Sequence, residues 1–355
     1  MQKFRKIGVL TSGGDAPGMN ACVRSVVLSA LSEGIEVMGI YKGYTGLISG
    51  EVKTLTTADV NGIIDDSGTI LYSDRCPEFK TEEGMAKAID TCRRLGIDGI
   101  VAIGGDGTFR GATDLSVRGI PTIGVPGTID NDITSTDYTI GFDTAMNTTM
   151  RMIDNLRDTC ESHARCDVVE AMGRNAGWIA LESGIATGAV AIAIGETPFD
   201  ADAAIERIKR QRAAGHRSFI VVVSETFGGD FSEGLAKRIM DETGVETKFA
   251  RFAHIVRGGS PTLRDRLAAT RMGKFAVDLL LDGKSDLVVC ERRGEIVATE
   301  IKFALIVDRM FKKKLKDGDL DSFCAPEIEK MKRICAERQD RYDDLMNTAL
   351  LMAKN

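Results

Sequence analysis

The sequence predicts an α/β protein, with mostly parallel sheets covered by helices and divided between two domains. Three observations predict it. Short apolar strands alternate with helical stretches, the pattern of parallel sheets covered on both faces. Strand after strand ends in a glycine-rich or acidic turn, the place where ligands bind in such folds. At 355 residues the chain is too long for one ordinary core and fits two domains.

The elements follow in order. A first strand over residues 7–10 leads through the glycine turn TSGGDAPG (11–18) into an apolar-periodic helix over 19–31. A strand over 97–103 ends in GGDGT (104–108), and one over 120–126 ends in GTIDND (127–132). A long helix is expected from about Asp143 to His163, with a domain change near Gly141. The strand 168–172 ends in GRNAG (173–177), and the β-branched run 219–223 ends at Ser224, Glu225 and Thr226. Past Cys324 the character changes. Pro326 suits a first helical position, and Ile328, Met331, Ile334, Cys335, Tyr342, Leu345, Met346 and Ala349 keep helical spacing. This tail is expected to pack on the body or on a partner subunit; a dedicated binding helix is the other reading. Lys312, Lys313 and Lys314 read as a solvated surface run.

Composition excludes several classes. With 43% hydrophobic and 28% charged residues the chain has the balance of a soluble globular protein. No apolar run reaches the roughly 20 residues of a membrane helix. The N-terminus leads straight into a strand, leaving no room for a signal peptide, so a cytoplasmic location is expected. Eight cysteines occur with no C-x-x-C pair, and Cys22, Cys92 and Cys290 sit in apolar surroundings, which suits reduced thiols. Three histidines make a His-rich metal site improbable. The net charge of −6 argues against general nucleic-acid binding but leaves phosphorylated small molecules open.

The turn 127–132 is the most informative segment. If it stays extended, Asp130 and Asp132 point to one side, since strand side chains alternate. Two carboxylates beside the Thr128 hydroxyl suit a site that holds a metal and takes a proton from an alcohol; the plainer reading is an Asx-rich turn that ends a strand. In GGDGT, glycines expose N–H groups at a helix N-terminus, where polyphosphate sits. Asp106 there conflicts with phosphate unless Mg²⁺ lies between them. Residues 11–18 form a second loop of this kind. No G-x-x-x-x-G-K-[ST] element is present and no G-x-G-x-x-G follows the first strand. Two phosphate-cradling loops and an acidic turn suggest phosphoryl transfer, with Asp130 as base and Asp132 orienting the metal. Arg75, Arg165, Arg174 and Arg257 are candidate cations, each otherwise a surface ion pair. Glu225, ending its strand, suits a sugar hydroxyl.

The segments GVLTSGGDAPGMN (8–20), GGDGT (104–108), PGTIDND (126–132), MGR (172–174) and HIVRGGSP (254–261) together resemble the 6-phosphofructokinase family. The resemblance runs from about Lys6 to Val307. It implies two Rossmann-like three-layer domains with the active site between them, the chain crossing more than once. The implied division is 1–141 with 256–306 as a larger ATP- and Mg²⁺-binding domain and 142–255 with 307–325 as a smaller fructose 6-phosphate domain, followed by a tail over 326–355. It implies transfer of the ATP γ-phosphoryl group to the 1-hydroxyl of fructose 6-phosphate, a step of glycolysis. By the same resemblance Asp130 is the base, and Gly14, Arg75 and Thr128 contact the transferring phosphoryl group. Gly104, Gly105, Asp106, Gly107 and Thr108 hold the nucleotide, while Asp106 and Asp132 bear on Mg²⁺. Met172, Gly173, Arg174, Glu225 and His254 contact the sugar phosphate, and Arg165, Lys248 and Arg257 its 6-phosphate. Arg165 and Lys248 reach in from a neighbouring subunit, which implies a homo-oligomer, usually a tetramer.

Departures from the family pattern sharpen the expectations. Pyrophosphate-dependent relatives typically carry Asp and Lys where Gly107 and Gly127 stand; glycine at both leaves room for ATP. GWIA (177–180) resembles a mixed subgroup that contains pyrophosphate users, so a pyrophosphate-dependent enzyme is the alternative. Lys248 replaces an arginine and loses its bidentate fork. Tyr72 replaces a small residue. At the family's effector site Arg24, Arg157 and Arg217 remain, but Leu28, Thr57, Val190 and Ala214 lack the usual charges, so a blunted response to ADP and phosphoenolpyruvate is expected. A use of GGDGT as in lipid or NAD kinases is disfavoured by the 127–132 and 254–261 segments. A catalytically silent nucleotide-sensing subunit is the non-enzyme reading.

Overall fold

The computed structural model describes residues 4–353. Its strands in chain order are β1 (Lys6–Ser12), β2 (Glu36–Ile40), β3 (Val52–Leu55), β4 (Gly99–Gly104), β5 (Thr122–Pro126), β6 (Cys166–Ala171), β7 (Ala191–Ala193), β8 (Phe219–Ser224), β9 (Thr247–Arg251), β10 (Leu287–Arg292) and β11 (Glu295–Glu300). One sheet has seven strands in the order β11-β10-β5-β4-β1-β2-β3; the other has four, in the order β7-β8-β6-β9. All neighbours are parallel except the two antiparallel edge pairs, β2–β3 and β10–β11. The interior strands are continuous apolar runs because both faces are covered, as the uniformly buried β4, β5, β6 and β8 show.

The chain forms two compact units. The first gathers Met1–Ile129, Ile133–Asp143 and Arg257–Cys335, the second Asp130–Asp132, Thr144–Val256 and Ala336–Asn355. This differs from the implied division in three places. Residues 307–325 belong with the first unit, because the helix Ile301–Phe311 runs through the expected boundary and packs against the helix Asp106–Ser116 and both β10 and β11. The tail is not a separate piece, since its helix, Ala325–Met352, is divided between the two units at Cys335. The three residues Asp130–Asp132 cluster with the second unit although the chain around them belongs to the first.

Within the first unit the core around Leu10, Ile100, Phe109 and Val288 lies on one face of the large sheet. Register levels the ends of its central strands: Ser12 lies opposite Gly104, and Gly104 opposite Pro126. Three loops therefore leave neighbouring strands at one edge. In the second unit Val168, Val221, Ala193 and Ile205 form the core. All eight apolar positions expected along the tail helix are buried or half-buried, Met331 and Tyr342 completely. Lys312 departs from the solvated reading. Its ammonium pairs at 2.8 Å with buried Asp308, one helical turn earlier. No helix among the described residues is long and apolar enough to cross a membrane.

Candidate active site

The first loop, residues 13–18, is tied to the strand that precedes it and to the segment before Arg75. The Thr11 hydroxyl donates to the Tyr72 carbonyl at 2.7 Å, and the Ser73 hydroxyl donates to the Gly13 carbonyl at 2.6 Å. Exposed Arg75 is thus held next to the loop that carries Gly14. Tyr72 has a positive φ of 56° and an exposed ring 5.9 Å from that of Tyr41. Arg257 joins them: its guanidinium donates to the Asp15 carbonyl at 2.9 Å, and a Cβ added at Gly14 would lie 2.8 Å from Nη1. Arg257 therefore sits on the first loop, a placement not evident in the sequence.

The second loop follows β4. The Thr108 hydroxyl donates to the Ser12 carbonyl at 3.1 Å, fastening the loop to the end of β1. A side chain at Gly104 would collide with both groups. Gly105 and Gly107, by contrast, have nothing within 4 Å of where a Cβ would stand. Asp106 opens the helix Asp106–Ser116, and its carboxylate lies 3.4 Å from Arg110. The helix start and the open glycines beside it suit an anion.

The acidic turn follows β5. The Gly127 N–H donates to the Gly104 carbonyl at 3.0 Å, and the Thr139 hydroxyl donates to the Thr128 carbonyl at 2.6 Å. Thr128, Asp130, Asn131 and Asp132 are all buried. The turn is not extended. Asn131 has a positive φ of 46°, so the alternation argument for Asp130 and Asp132 does not apply. A non-glycine residue there costs about 1–3 kcal/mol and persists only where its surroundings over-determine it. Gly127 is also closely packed. A Cβ there would lie 3.0 Å from Ile103 and 3.1 Å from Met19, so these neighbours would have to give by a few tenths of an ångström to admit one.

In the second unit the carboxyl ends of β6, β8 and β9 surround a cavity of about 370 Å³. Met172, Glu225 and His254 line it. Glu225 accepts from the N–H groups of Gly173 at 3.1 Å and Arg174 at 2.5 Å, so these residues form one constellation. Gly173 has φ 148°, which an L side chain rarely adopts. Glu170 and Arg251, absent from the expected set, also line the cavity. The Arg251 Nε donates to buried Glu170 at 2.6 Å, and the Ser232 hydroxyl donates to the same carboxylate at 2.9 Å. Their signal in the sequence was position alone, at the ends of two strands.

Arg165 and Lys248 are not brought to this cavity. Both pair with Glu246 at 2.9 Å, at the amino ends of β6 and β9. Their hydrogen bonds, and then their charges, hold the Glu246 carboxyl below its usual value. Arg165 lies five residues before the lining Glu170 and Lys248 three before the lining Arg251, roughly 17 and 10 Å at about 3.3 Å per residue. At the implied effector positions, Arg157 and Arg217 donate to the carbonyls of Thr187 and Glu161, and Val190 is buried in the core.

No three or more His, Cys, Asp or Glu side chains that could hold a metal lie together among the described residues. Mg²⁺ commonly takes one or two carboxylates and completes its shell with substrate phosphates and water. The carboxylate of Asp106 at the mouth of the open glycine loop fits that donor set, as does that of Asp132. All eight cysteines are free.

The phosphofructokinase family model matches residues 6–280. The chain belongs to that family. It is 51% identical over 314 residues to the ATP-dependent 6-phosphofructokinase of Clostridium botulinum (strain Loch Maree / Type A3), covering 88% of this chain and 98% of the relative. The enzyme of the same name from Halalkalibacterium halodurans is 51% identical over 298 residues, covering 84% and 93%. Among solved structures, phosphofructokinase from Saccharomyces cerevisiae superposes with a TM-score of 0.82 at 31% identity over 89% of this chain, which spans 47% of the yeast chain. A pyrophosphate-dependent phosphofructokinase from Marinobacter aquaeolei shares the fold, with a TM-score of 0.73 at 23% identity over 84% of this chain and 83% of its own.

Proposed function

We propose that this member of the family is an ATP-dependent 6-phosphofructokinase, which transfers the γ-phosphoryl group of ATP to the 1-hydroxyl of fructose 6-phosphate. The observation that carries the reading is the buried acidic turn at the end of β5, with two carboxylates and a threonine within the five buried positions Thr128 to Asp132. Asp130 accepts the hydroxyl proton as the oxygen attacks phosphorus. Gly14, Arg75 and Thr128 orient the transferring group, and residues 104–108 receive the nucleotide phosphates through N–H groups at a helix start. When bound, Mg²⁺ neutralises charge on the phosphates, and we assign Asp106 and Asp132 to it. Met172, Gly173, Arg174, Glu225 and His254 bind the sugar phosphate; Arg257, held on the first loop in this structure, is assigned to the 6-phosphate by family likeness alone.

Arg165 and Lys248 lie at the wrong edge of their own sheet to serve their own cavity, which supports a site completed by a second copy. A homo-oligomer, a tetramer by family likeness, and a cytoplasmic location follow from this reading. So does a blunted response to ADP and phosphoenolpyruvate. The test supplies fructose 6-phosphate and Mg²⁺ with either ATP or pyrophosphate and measures bisphosphate formation. Turnover with ATP is expected. Turnover with pyrophosphate alone overturns the donor, and turnover with neither overturns the reaction.

A further inference from the structure

The tail helix reaches the acidic turn. The Arg338 guanidinium donates to the Asn131 carbonyl, within the second unit, where Asp130–Asp132 and Ala336–Asn355 cluster together. That oxygen belongs to the peptide plane joining Asn131 to Asp132. Pinning it fixes the orientation of Asp132 relative to Asp130, across a residue already held at φ 46°.

The arginine itself is well held. Its guanidinium lies 5.2 Å from the centroid of the Trp178 ring, and the Arg341 guanidinium lies 4.7 Å from the same ring. Tyr342 stacks on Trp178 at 3.6 Å, with 22° between the rings. Arg341 pairs with Glu182 at 2.7 Å. Glu196 accepts from the Gly177 N–H at 2.9 Å and faces the Tyr342 hydroxyl, whose proton is held by burial first and then by the Glu196 charge. The helix is thus locked in register on the 177–182 segment, and that register aims Arg338.

We infer that Arg338 is a positioning residue for the reaction: anchored on Trp178, it holds the Asn131 carbonyl and thereby sets the carboxylates of Asp130 and Asp132. The inference rests on the reading of Asp130 as the base. It touches no substrate. Its effect is on kcat, because it orients groups that act in the transition state.

The experiment compares Arg338→Met, Arg338→Lys and Arg341→Met. Arg341→Met removes one docking contact without touching the turn, while Tyr342 stacked on Trp178 keeps the register. Trp178 is the chain's single tryptophan, so its fluorescence reports docking in each variant. Arg338→Met is expected to lower kcat about tenfold, the scale of a misplaced catalytic group, with little change in KM for either substrate. Arg338→Lys recovers part of the loss, and Arg341→Met leaves kcat near wild type. Amide exchange over residues 127–133 speeds up in Arg338→Met and not in Arg341→Met. An unchanged kcat in Arg338→Met overturns the inference, as do an equal loss in Arg341→Met and unchanged exchange in the turn. If the wild type turns over neither donor, the functional reading fails. The exchange comparison then still decides whether Arg338 holds the turn.

Discussion

The loop after β4 and the turn after β5 leave neighbouring strands of one sheet, yet they are built on opposite plans. In the first, two glycines face open space and the carboxylate of Asp106 is partly exposed beside Arg110. In the second, every residue from Thr128 to Asp132 is buried, and hydrogen bonds hold it from before and after. The difference teaches where each gets its shape. The open loop leaves space beside its glycines, which suits the polyphosphate we propose to bind there. The acidic turn is completed by the protein, which supplies the strain at Asn131 and the contacts that sustain it. A nucleotide that must enter and leave suits the first plan. A base that must keep one orientation suits the second.

The sharpest break in this comparison is Asp130→Asn. It preserves shape in a fully built turn and removes only the proton acceptor. We expect kcat to fall by roughly a thousandfold, on the scale of a lost general base, with substrate binding little changed. Steady-state kinetics with ATP and fructose 6-phosphate measure it, and a loss of only a few fold would place the base elsewhere.

A paired substitution of the two glycines comes next. Gly127→Lys drives a side chain into Ile103 and Met19, which lie 3.0 and 3.1 Å from its Cβ. A loss of about 1–3 kcal/mol in stability is expected, as for other overpacked sites. Gly107→Asp meets nothing within 4 Å, so stability should hold. Its carboxylate would stand where we propose the nucleotide phosphates bind, raising KM for ATP by about tenfold, equivalent to about 1.4 kcal/mol. Denaturant melts and ATP titrations separate the two effects. Equal stability losses would erase the contrast between open and closed loops.

Much of this contrast was legible in the sequence, and its failures are instructive. The strands and the turns at their ends were readable because β-branched runs stop at glycine or aspartate. The open character of Gly107 was readable as well. The packing demand on Gly127 was not, because Ile103 and Met19 come from other strands and helices. The left-handed Asn131 broke the assumption of an extended turn; tertiary contacts overrode the local rule. Glu170 and Arg251 escaped notice because their pairing depends on β6 lying beside β9. The apolar spacing of the tail announced a packed helix but not its target, since Tyr342 meets Trp178 across 164 positions of sequence. The Lys312–Asp308 pair follows i,i+4 spacing, yet reading the three lysines as one solvated run passed over it.

The closed side also carries a pH handle, and it gives the smallest effect. The return from the acidic turn is anchored where the Tyr138 hydroxyl donates to Asp265 at 2.5 Å and the Gly141 N–H donates to the same oxygen at 2.6 Å. Burial, and then the adjacent Asp265 charge, push the Tyr138 phenol well above its ordinary value of 10.0. The folded chain therefore keeps this proton where the unfolded chain would release it. The resulting stability is fully present below about pH 10 and is lost as pH rises above it, by roughly 1 kcal/mol at about pH 11 for one such group. Buried Cys92 and Cys290, whose thiols burial pushes up to about 12, shift stability in the same direction. Thermal melts from pH 8 to 11 on the wild type and Tyr138→Phe isolate the phenol. The variant starts less stable, having lost the donor to Asp265, but falls less steeply with pH. Parallel slopes would mean that the anchor of the acidic turn opens to solvent before the phenol ionises.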